Sequence, residues 1–433
     1  MREMKDSGVE WIGEIPKYWV VTKLNRAVGV ITDYVASGSF ADLAENVTYL
    51  DNPNYAMLIR VADLSGTKDK PVYIDKKAYD FLSNSNLFGG EVILSNIGSV
   101  GSVYIYHKMY EYASLAPNSI MLNKSDDNRF VYYWFMNPMA NDELKRIGGN
   151  AVQAKFNKTQ LRQFKIALPP SEEQHRIADY LDQKCNQIDT IIEKKQLIIE
   201  KLGQYRLSVI SEMMVDSAYP LVSLGKCIDK MEQGWSPSPS EKNQESDWHV
   251  LSLAAVKEGR FNKTEIKLFS GDKSRCERLK VNKGDFLLTR SNTREYVGAV
   301  CLVDDVFENT IFSDLIYRII FNTRFLLPSF ALYYFQSAYA RQQIERDAHG
   351  SSSTMVKITH KDISNWKISL PSIEQQKIIS KRLHTLDIAV MNEMDKRILE
   401  INKLIAYKKS LIYEVVTGKK TYIYEKIGDM GHE

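Results

Sequence analysis

The sequence predicts an α+β protein in which two mixed α/β domains stand in a tandem pseudo-repeat, separated by two long antiparallel coiled-coil-like helices. Three observations support this prediction. The stretch that begins at Leu168 is written again from Leu370, 202 residues later and without a gap. Each copy runs for more than forty residues without a proline. Each is preceded by a segment of short strand-like runs, so the repeating unit is a domain followed by a helix.

Both copies of the repeat are predicted to be helical from their first turn. Leu-Pro-Pro or Leu-Pro-Ser stops a strand, Ser171 is expected as an N-cap, and glutamates fill the first turn. Steps of four and three from Ile177 and from Ile379 define a heptad seam with polar breaks. Such breaks favour helices that pack on each other and also contact a partner. The residues expected at these contacts are Leu181, Ile188, Leu202, Tyr205, Leu383, Val390, Leu404 and Tyr407.

The repeat divides the chain into six parts. We expect a short N-terminal segment (1–16), a first domain (17–167), a central helix (168–216), a second domain (217–369), a C-terminal helix (370–418) and a tail (419–433). In both domains, runs rich in β-branched and aromatic residues predict short strands between Gly, Asn and Pro turns. These runs are 55–61, 72–74, 91–95 and 103–106, then 249–253, 286–289, 299–303 and 316–321.

Each predicted domain ends with two further features. An aromatic segment, from Phe130 in the first domain and from Phe330 to Arg346 in the second, is expected to be helical and to belong to the core. A loop of glycine and small polar residues follows, at 148–155 and 350–357. Free backbone N–H groups in such a loop suit a phosphate, and a plain surface loop is an equal alternative.

Composition describes an ordinary chain with full-sized cores. Its 433 residues contain 44% hydrophobic and 26% charged residues, and no apolar run reaches the ~18 residues of a membrane span. The charged N-terminus has no signal-peptide core, so we expect a cytoplasmic protein with no membrane partner. The four scattered cysteines predict reduced thiols and make a zinc site improbable.

The formal net charge of +3 conceals one basic stretch. Residues 257–294 carry eleven basic and five acidic residues, a net charge of +6. A local positive surface is expected of an element that contacts phosphates, while a solvated charged face is the alternative.

Several motifs together resemble the specificity subunit of type I DNA restriction–modification systems. They are the opening DSGVEWIGEIPKYW, the strands GEVILS and GDFLLT, and the paired helix starts LPPSEEQ and LPSIEQQ. Ser372 departs from the family pattern, in which a second proline stands. The resemblance implies a non-catalytic DNA reader whose two target-recognition domains each read half of a split, asymmetric site. It also implies two DNA methyltransferase subunits and restriction/translocase subunits as partners. S-adenosylmethionine, ATP and Mg are then expected in those partners, and no cofactor in this chain.

Base recognition needs Arg, Lys, Asn or Gln side chains on a firm support, with further cations on phosphates. The candidates for contact with double-stranded DNA are Lys68, Lys70, Lys76, Lys77, Asn96, Lys155, Lys273, Arg275, Arg278, Arg290, Asn292, Arg294 and Lys357. For each of them a solvated surface role is the competing interpretation.

Catalytic alternatives are weak in this sequence. The run Asp51–Tyr55 only partly matches the loop with which amino-methyltransferases hold adenine, and no P-loop or metal-ligand spacing is present. The hypothesis that remains beside the DNA reader is a scaffold that does not bind DNA and assembles partners through its paired helices.

Overall fold

A computed structural model of the chain describes residues 2–67, 70–149, 154–215, 218–236, 248–257, 259–269, 273–350 and 355–420. The chain divides into two compact units. Unit 1 comprises Met1–Lys194 and Leu399–Glu433, and unit 2 comprises Lys195–Ile398. None of the helices within these described ranges is long and apolar enough to cross a bilayer.

Unit 1 contains twelve short strands among its described residues. They are β1 (Met4–Asp6), β2 (Glu14–Pro16), β3 (Val20–Lys23), β4 (Val30–Asp33), β5 (Ala56–Ile59), β6 (Tyr73–Ile74), β7 (Asn86–Leu87), β8 (Val92–Ser95), β9 (Val103–Ile105), β10 (Ala113–Leu115), β11 (Ser119–Asn123) and β12 (Lys165–Leu168). Two four-stranded sheets result, in the orders β6-β5-β10-β7 and β4-β11-β8-β9. The pair β5–β10 is parallel, with Leu58 opposite Ser114, and β12 pairs antiparallel with β3.

The helices of unit 1 surround these sheets. They are α1 (Leu24–Ala27), α2 (Phe40–Asn46), α3 (Val61–Leu64), α4 (Lys76–Phe81), α5 (Asn128–Met136), α6 (Pro138–Gly148), α7 (Lys158–Arg162) and the first part of α8 (Ser171–Met214). Asn137 ends α5 and caps α6, because its side chain accepts a hydrogen bond from the Met139 backbone N–H. The α5 aromatics Phe130, Trp134 and Phe135 are buried, which confirms that this segment belongs to the core.

Unit 2 repeats this plan with its own strands. They are β13 (Leu221–Ser223), β14 (Ile228–Gln233), β15 (Trp248–Leu251), β16 (Val256–Lys257), β17 (Arg260–Phe261), β18 (Ile266–Phe269), β19 (Phe286–Thr289), β20 (Ser291–Asn292), β21 (Val300–Leu302), β22 (Thr310–Phe312), β23 (Ile316–Phe321), β24 (Val356–Lys357) and β25 (Lys367–Ser369). The order β14-β23-β19-β21 corresponds to β4-β11-β8-β9 of unit 1, and β18-β15-β22 corresponds to β6-β5-β10. The strand before each long helix pairs with the first strand of its domain, β25 with β13 in this unit.

The helices of unit 2 are α9 (Lys273–Arg278), α10 (Pro328–Tyr334), α11 (Ala338–Asp347), α12 (His360–Asn365), the last part of α8 and the first part of α13 (Ile373–Val416). The segment from Phe330 was expected to form one helical stretch, and it forms two helices instead. The cause is Ser337, whose hydroxyl donates to the Tyr334 carbonyl and accepts from the Ala340 N–H, so it caps a new helix. The aromatic side chains Phe330 and Tyr334 are buried, as expected for a core segment.

The two long helices, α8 and α13, span 44 residues each. In α8 the carbonyl of Pro170 accepts the N–H groups of Glu173 and Gln174, so Ser171 lies inside the helix and is not its cap. Ser372 occupies the matching position before α13, and its hydroxyl accepts the Gln375 N–H. The replacement of the second proline by Ser372 therefore supplies a side-chain cap.

In unit 1, the first part of α8 packs against the last part of α13. Leu181 and Ile188 are buried in one cluster with Leu411 and Val415 of α13. Lys408 forms an ion pair with Asp189, Nζ to Oδ2 at 2.6 Å. Leu404, half-buried, packs against the same cluster.

In unit 2, Leu383 is buried in one cluster with Ile210 and Met214, and Val390 is also buried. Arg206 bonds Asp387 through Nε at 2.7 Å and Gln336 through Nη2 at 2.6 Å. Leu202, at one of the predicted contact positions, is half-buried.

Tyr205 and Tyr407 do not pack between the helices, although the heptad seam placed them there. Their side chains are 55% and 53% exposed, while Arg206 beside Tyr205 is buried. The seam positions on either side of Tyr407, Leu404 and Leu411, pack in the core of unit 1. The seam therefore follows the packed face, and Tyr407 is an exposed position within it.

Candidate nucleic-acid interface

The two units share a backbone arrangement at the end of one inner strand. In unit 1, β8 ends at Ser95, and the Asn96 N–H donates to the Asn118 carbonyl at 3.2 Å while the Asn96 carbonyl accepts the Phe156 N–H at 3.1 Å. In unit 2, β19 ends at Thr289, and Arg290 makes the corresponding bonds to Leu315 and Ile358, both at 2.9 Å. Two backbone hydrogen bonds, one on each side, therefore fix this position in each unit.

One lysine lies beside each of these strand ends. Lys155 pairs with Ile97 across an isolated bridge, and Lys357 pairs with Ser291 in the β20–β24 ladder. Both lysines are exposed, and they are 202 residues apart, like the copies of the long helix. The sequence-based candidates at 96 and 155, and at 290 and 357, are therefore brought together in their own units.

A capped helix follows each lysine along the chain. In unit 1 the side chain of Asn157 caps α7 and Gln160 completes a capping box. In unit 2 Thr359 and Asp362 do the same for α12. Reciprocal capping satisfies backbone donors that would otherwise be unpaired, so the chain next to each lysine is rigid.

The side chain of Asn96 faces the protein. Its Nδ2 donates to the Phe156 carbonyl at 3.1 Å. Its Oδ1 is buried and has no hydrogen-bond partner among the described residues. The amide therefore holds the chain that carries Lys155, and it does not present both of its groups to solvent.

The side chain of Arg290 lies over an aromatic ring. Its guanidinium carbon is 5.3 Å from the centroid of the Tyr317 ring, and Nη1 donates to the Asp314 carbonyl at 3.3 Å. Nε is buried without an acceptor in the part of the chain that the structure describes. The contact with the tyrosine ring and a long bond to a carbonyl orient the half-buried guanidinium, whose Nη1 and Nη2 carry four N–H donors in all.

A histidine completes this group in unit 2. The ring of His360 lies 4.3 Å from the Tyr317 ring, centroid to centroid. Partial burial and, second, the positive charge of Arg290 lower the pKa of His360. In unit 1 the matching residue, Lys158, forms an ion pair with Asp33 at 2.6 Å. Sequence reasoning missed Tyr317 and His360, although the 202-residue spacing pairs His360 with Lys158.

Unit 1 also has a cavity beside Asn96. Its volume is about 650 Å³, and Tyr34, Phe40, Tyr49 and Asn118 contribute to its walls together with Asn96. The Phe40 side chain is 82% exposed. The cavity is thus lined by aromatic side chains and lies beside Asn96, one of the candidate DNA contacts.

The other candidates of unit 1 lie elsewhere. Lys76 and Lys77 begin α4, just after the edge strand β6, and Lys76 bonds Asp80 at 2.7 Å. Lys70 is exposed, and its carbonyl accepts from Arg60. Lys68 lies outside the described residues.

In unit 2 Asn292 lies on β20, next to β24. Arg294 is exposed, and its carbonyl accepts from Arg341 of α11. Arg278 is exposed at the end of α9. The side chains of Lys273 and Arg275 are outside the described part of the structure.

The basic stretch 257–294 is partly engaged in internal contacts. Lys257 lies over the Tyr296 ring, Lys263 pairs with Asp305, and Lys280 lies over the Trp248 ring. These contacts reduce the number of cations available to phosphates. Of the cationic candidates in unit 2, the ones that the structure brings together are Arg290 and Lys357 at the end of β19.

Comparison with known proteins identifies the class of this duplicated fold. Residues 39–201 and 228–403 match the family described as type I restriction modification DNA specificity domain. These two matches cover most of the chain, one for each copy of the repeat. The chain therefore belongs to that family, whose members are non-catalytic DNA-specificity components of type I restriction–modification systems.

Individual relatives agree with this assignment. The chain is 26% identical over 434 residues to the "Putative type I restriction enzyme MjaX specificity subunit" of Methanocaldococcus jannaschii, covering 94% of this chain and 95% of the relative. It is 21% identical over 425 residues to the EcoKI specificity subunit of Escherichia coli K12, covering 93% and 89%. A chain from a solved type I R-M system has a similar fold, with a TM-score of 0.67 at 14% identity and coverage of 94% and 99%.

Proposed function

We propose that this specificity subunit reads a split, asymmetric DNA site, and that each half-site is read at the strand end of one unit. The observation that carries the proposal is the repeated backbone arrangement at Asn96 and Arg290. The same rigid support has different surroundings in the two units, which suits a protein that reads two different short sequences. Lys155 and Lys357 are exposed beside these positions and are proposed to contact phosphates.

Exposed apolar side chains on the long helices support a partner-docking function. In unit 1 they are Ile191, Leu399, Ile405 and Tyr407, and in unit 2 they are Leu197, Ile198, Tyr205, Leu207, Ile378, Ile388 and Ile398. Apolar patches on helices commonly mark protein interfaces. We assign them to two DNA methyltransferase subunits and to restriction/translocase subunits. In this proposal S-adenosylmethionine, ATP and Mg bind to those partner subunits. We also propose that the assembled complex acts in the cytoplasm.

The test is an exchange of the second domain. Residues 217–369 are replaced by the corresponding residues of another family member, and the adenines methylated by the assembled complex are mapped by sequencing. One half-site should change and the other should remain. Methylation at an unaltered site would contradict reading by the second domain.

A scaffold without DNA-binding activity remains the competing hypothesis. Gel-shift titration with DNA separates the two hypotheses when the complex with the exchanged domain is compared with the unaltered complex. If only the modification subunits bind DNA, the two complexes should bind the same sequences equally well. Preparations that lack this chain provide the control.

A further inference from the structure

Arg290 and Asn96 occupy equivalent backbone positions, but their side chains are available for different tasks. The Asn96 amide donates to the Phe156 carbonyl and its Oδ1 is buried. The Arg290 guanidinium is instead held between the Tyr317 ring and the Asp314 carbonyl. The position therefore has a structural task in unit 1 and an oriented cation in unit 2.

We infer that Arg290 is a specificity-determining residue that reads a guanine in the half-site of the second domain, and that Asn96 positions the Lys155 loop and reads no base. This inference rests on the proposed function. Arginine binds guanine O6 and N7 with two parallel N–H donors, the commonest specific contact in the major groove. Because Nε of Arg290 is buried and one N–H of Nη1 is bonded to the Asp314 carbonyl, the two donors are the second N–H of Nη1 and an N–H of Nη2.

The surroundings of Arg290 favour base reading over a phosphate contact. Its position follows an inner strand, and its backbone is bonded on both sides to Leu315 and Ile358. The contact with the Tyr317 ring and the bond to the Asp314 carbonyl hold the guanidinium at two points, and a bidentate contact requires a guanidinium held in one orientation. Lys357, exposed on the neighbouring strand β24, supplies a flexible cation for the phosphate backbone.

The first experiment replaces Arg290 with lysine in the assembled complex. Arg290→Lys keeps the charge and removes the planar fork. The methylated sites should then become degenerate at one guanine of the second half-site, with the first half-site unchanged. Arg324→Lys is the matched control, because Arg324 is exposed in the same unit, follows the end of β23 that lies away from Arg290, and is not among the candidates for DNA contact. This control should leave the recognised sequence as it is.

The second experiment uses the unaltered complex and needs no variant to fold. Each guanine of the second half-site is replaced in turn by 7-deazaguanine, which lacks the N7 acceptor. One position should lose affinity, by less than the roughly 5- to 150-fold that corresponds to a whole bidentate base contact, because the O6 acceptor remains. In Arg290→Lys, or in Arg290→Gln if the lysine variant does not assemble, the same replacement should have no further effect.

Three results would overturn the inference. They are a second half-site without an invariant guanine, a scan in which no guanine is sensitive to loss of N7, and an unchanged recognition sequence in an active Arg290→Lys complex. None of these results contradicts the proposed function, because the exchange of residues 217–369 tests domain reading independently. If the exchange leaves both half-sites unchanged, the proposed function fails first.

Discussion

The two units build the same strand end from different side chains, and this difference separates support from recognition. Both positions are fixed by a backbone N–H on one side and a backbone carbonyl on the other, at Asn96 in one unit and Arg290 in the other. Backbone bonds do not depend on the side chain, so the support survives a change of residue. The side chain can then strengthen the support, as Asn96 does through Phe156, or remain available, as in Arg290.

The largest expected effects concern the matched leucines of the two long helices. Leu181 and Leu383 are 202 residues apart and are both fully buried. Replacing either by alanine removes buried methyl groups and leaves a cavity, which should cost about 2–5 kcal/mol in the free energy of unfolding. Denaturant unfolding, followed by circular dichroism, measures both variants.

The exposed tyrosines Tyr205 and Tyr407 provide the control for the leucines. Their replacement by alanine should change the free energy of unfolding of the free chain by about 0.5 kcal/mol or less, as is usual for surface positions. A large loss at Tyr205 or Tyr407, or none at Leu181 or Leu383, would show that the packed face has been assigned wrongly. Loss of assembly with modification subunits in the tyrosine variants would support the docking proposal.

The second comparison concerns one ion pair in each unit. The side chains of Arg206 and Asp387 in unit 2 are 10% and 20% exposed, whereas those of Lys408 and Asp189 in unit 1 are 22% and 46% exposed. Arg206→Met leaves Asp387 and Gln336 without their donor in a mostly buried place, and should cost about 3 kcal/mol. Lys408→Met breaks a more solvated pair and should cost about 1 kcal/mol or less. Equal losses in thermal and denaturant unfolding would argue that burial does not distinguish the two pairs.

Much of this architecture could be predicted from the sequence, because the duplication shows which features both units must share. Short-range patterns that recur in both copies predict the long helices and the strands that end at Ser95 and Thr289. They also show that Lys155 and Lys357 are equivalent positions of the two copies. The strand order could not be predicted, since the parallel pair β5–β10 joins residues more than fifty positions apart. Such pairing is decided by tertiary packing and not by local propensity.

The candidate site shows the same limit. Arg290 was identifiable as a cation after a strand, but its contacts with Tyr317 and Asp314 come from a distant part of the chain. Asn96 was proposed as a base contact from its residue type alone. The hydrogen bond from its Nδ2 to the Phe156 carbonyl depends on the loop that returns sixty residues later, which no local pattern indicates.

A smaller effect is expected at Asn96. Asn96→Ala removes the hydrogen bond to the Phe156 carbonyl and should lower the stability of unit 1 by about 1 kcal/mol, the usual net value of one such bond. It should also weaken DNA binding for all sequences alike, because the loop with Lys155 becomes less ordered. Differential scanning calorimetry and binding to duplexes of varied sequence measure these two effects.

The control for Asn96 is Lys155→Ala. Lys155 is exposed, so its removal should leave the melting temperature unchanged and still weaken binding. In the contrary outcome, Asn96→Ala relaxes the recognition of one base of the first half-site without changing stability. Asn96 would then read DNA directly, and the contrast with Arg290 would be lost.

The smallest expected effect is a pH dependence confined to unit 2. Partial burial and, second, the positive charge of Arg290 lower the pKa of His360, below the value of about 6.5 for a free histidine. Between the two pKa values the unfolded chain binds more protons than the folded chain, so stability rises with pH across this interval. The contribution of His360 should therefore be fully present above about pH 6.5 and decline as the pH falls below it. The effect is small because the histidine is largely exposed.

Denaturant unfolding between pH 5 and 7.5 measures this effect. The free energy of unfolding should depend less steeply on pH in His360→Gln than in the unaltered chain. Lys158→Gln, the matching change in unit 1, should leave that slope as it is, because a lysine does not normally titrate in this range. Equal slopes in the unaltered chain and in His360→Gln would mean that the surroundings of His360 do not lower its pKa.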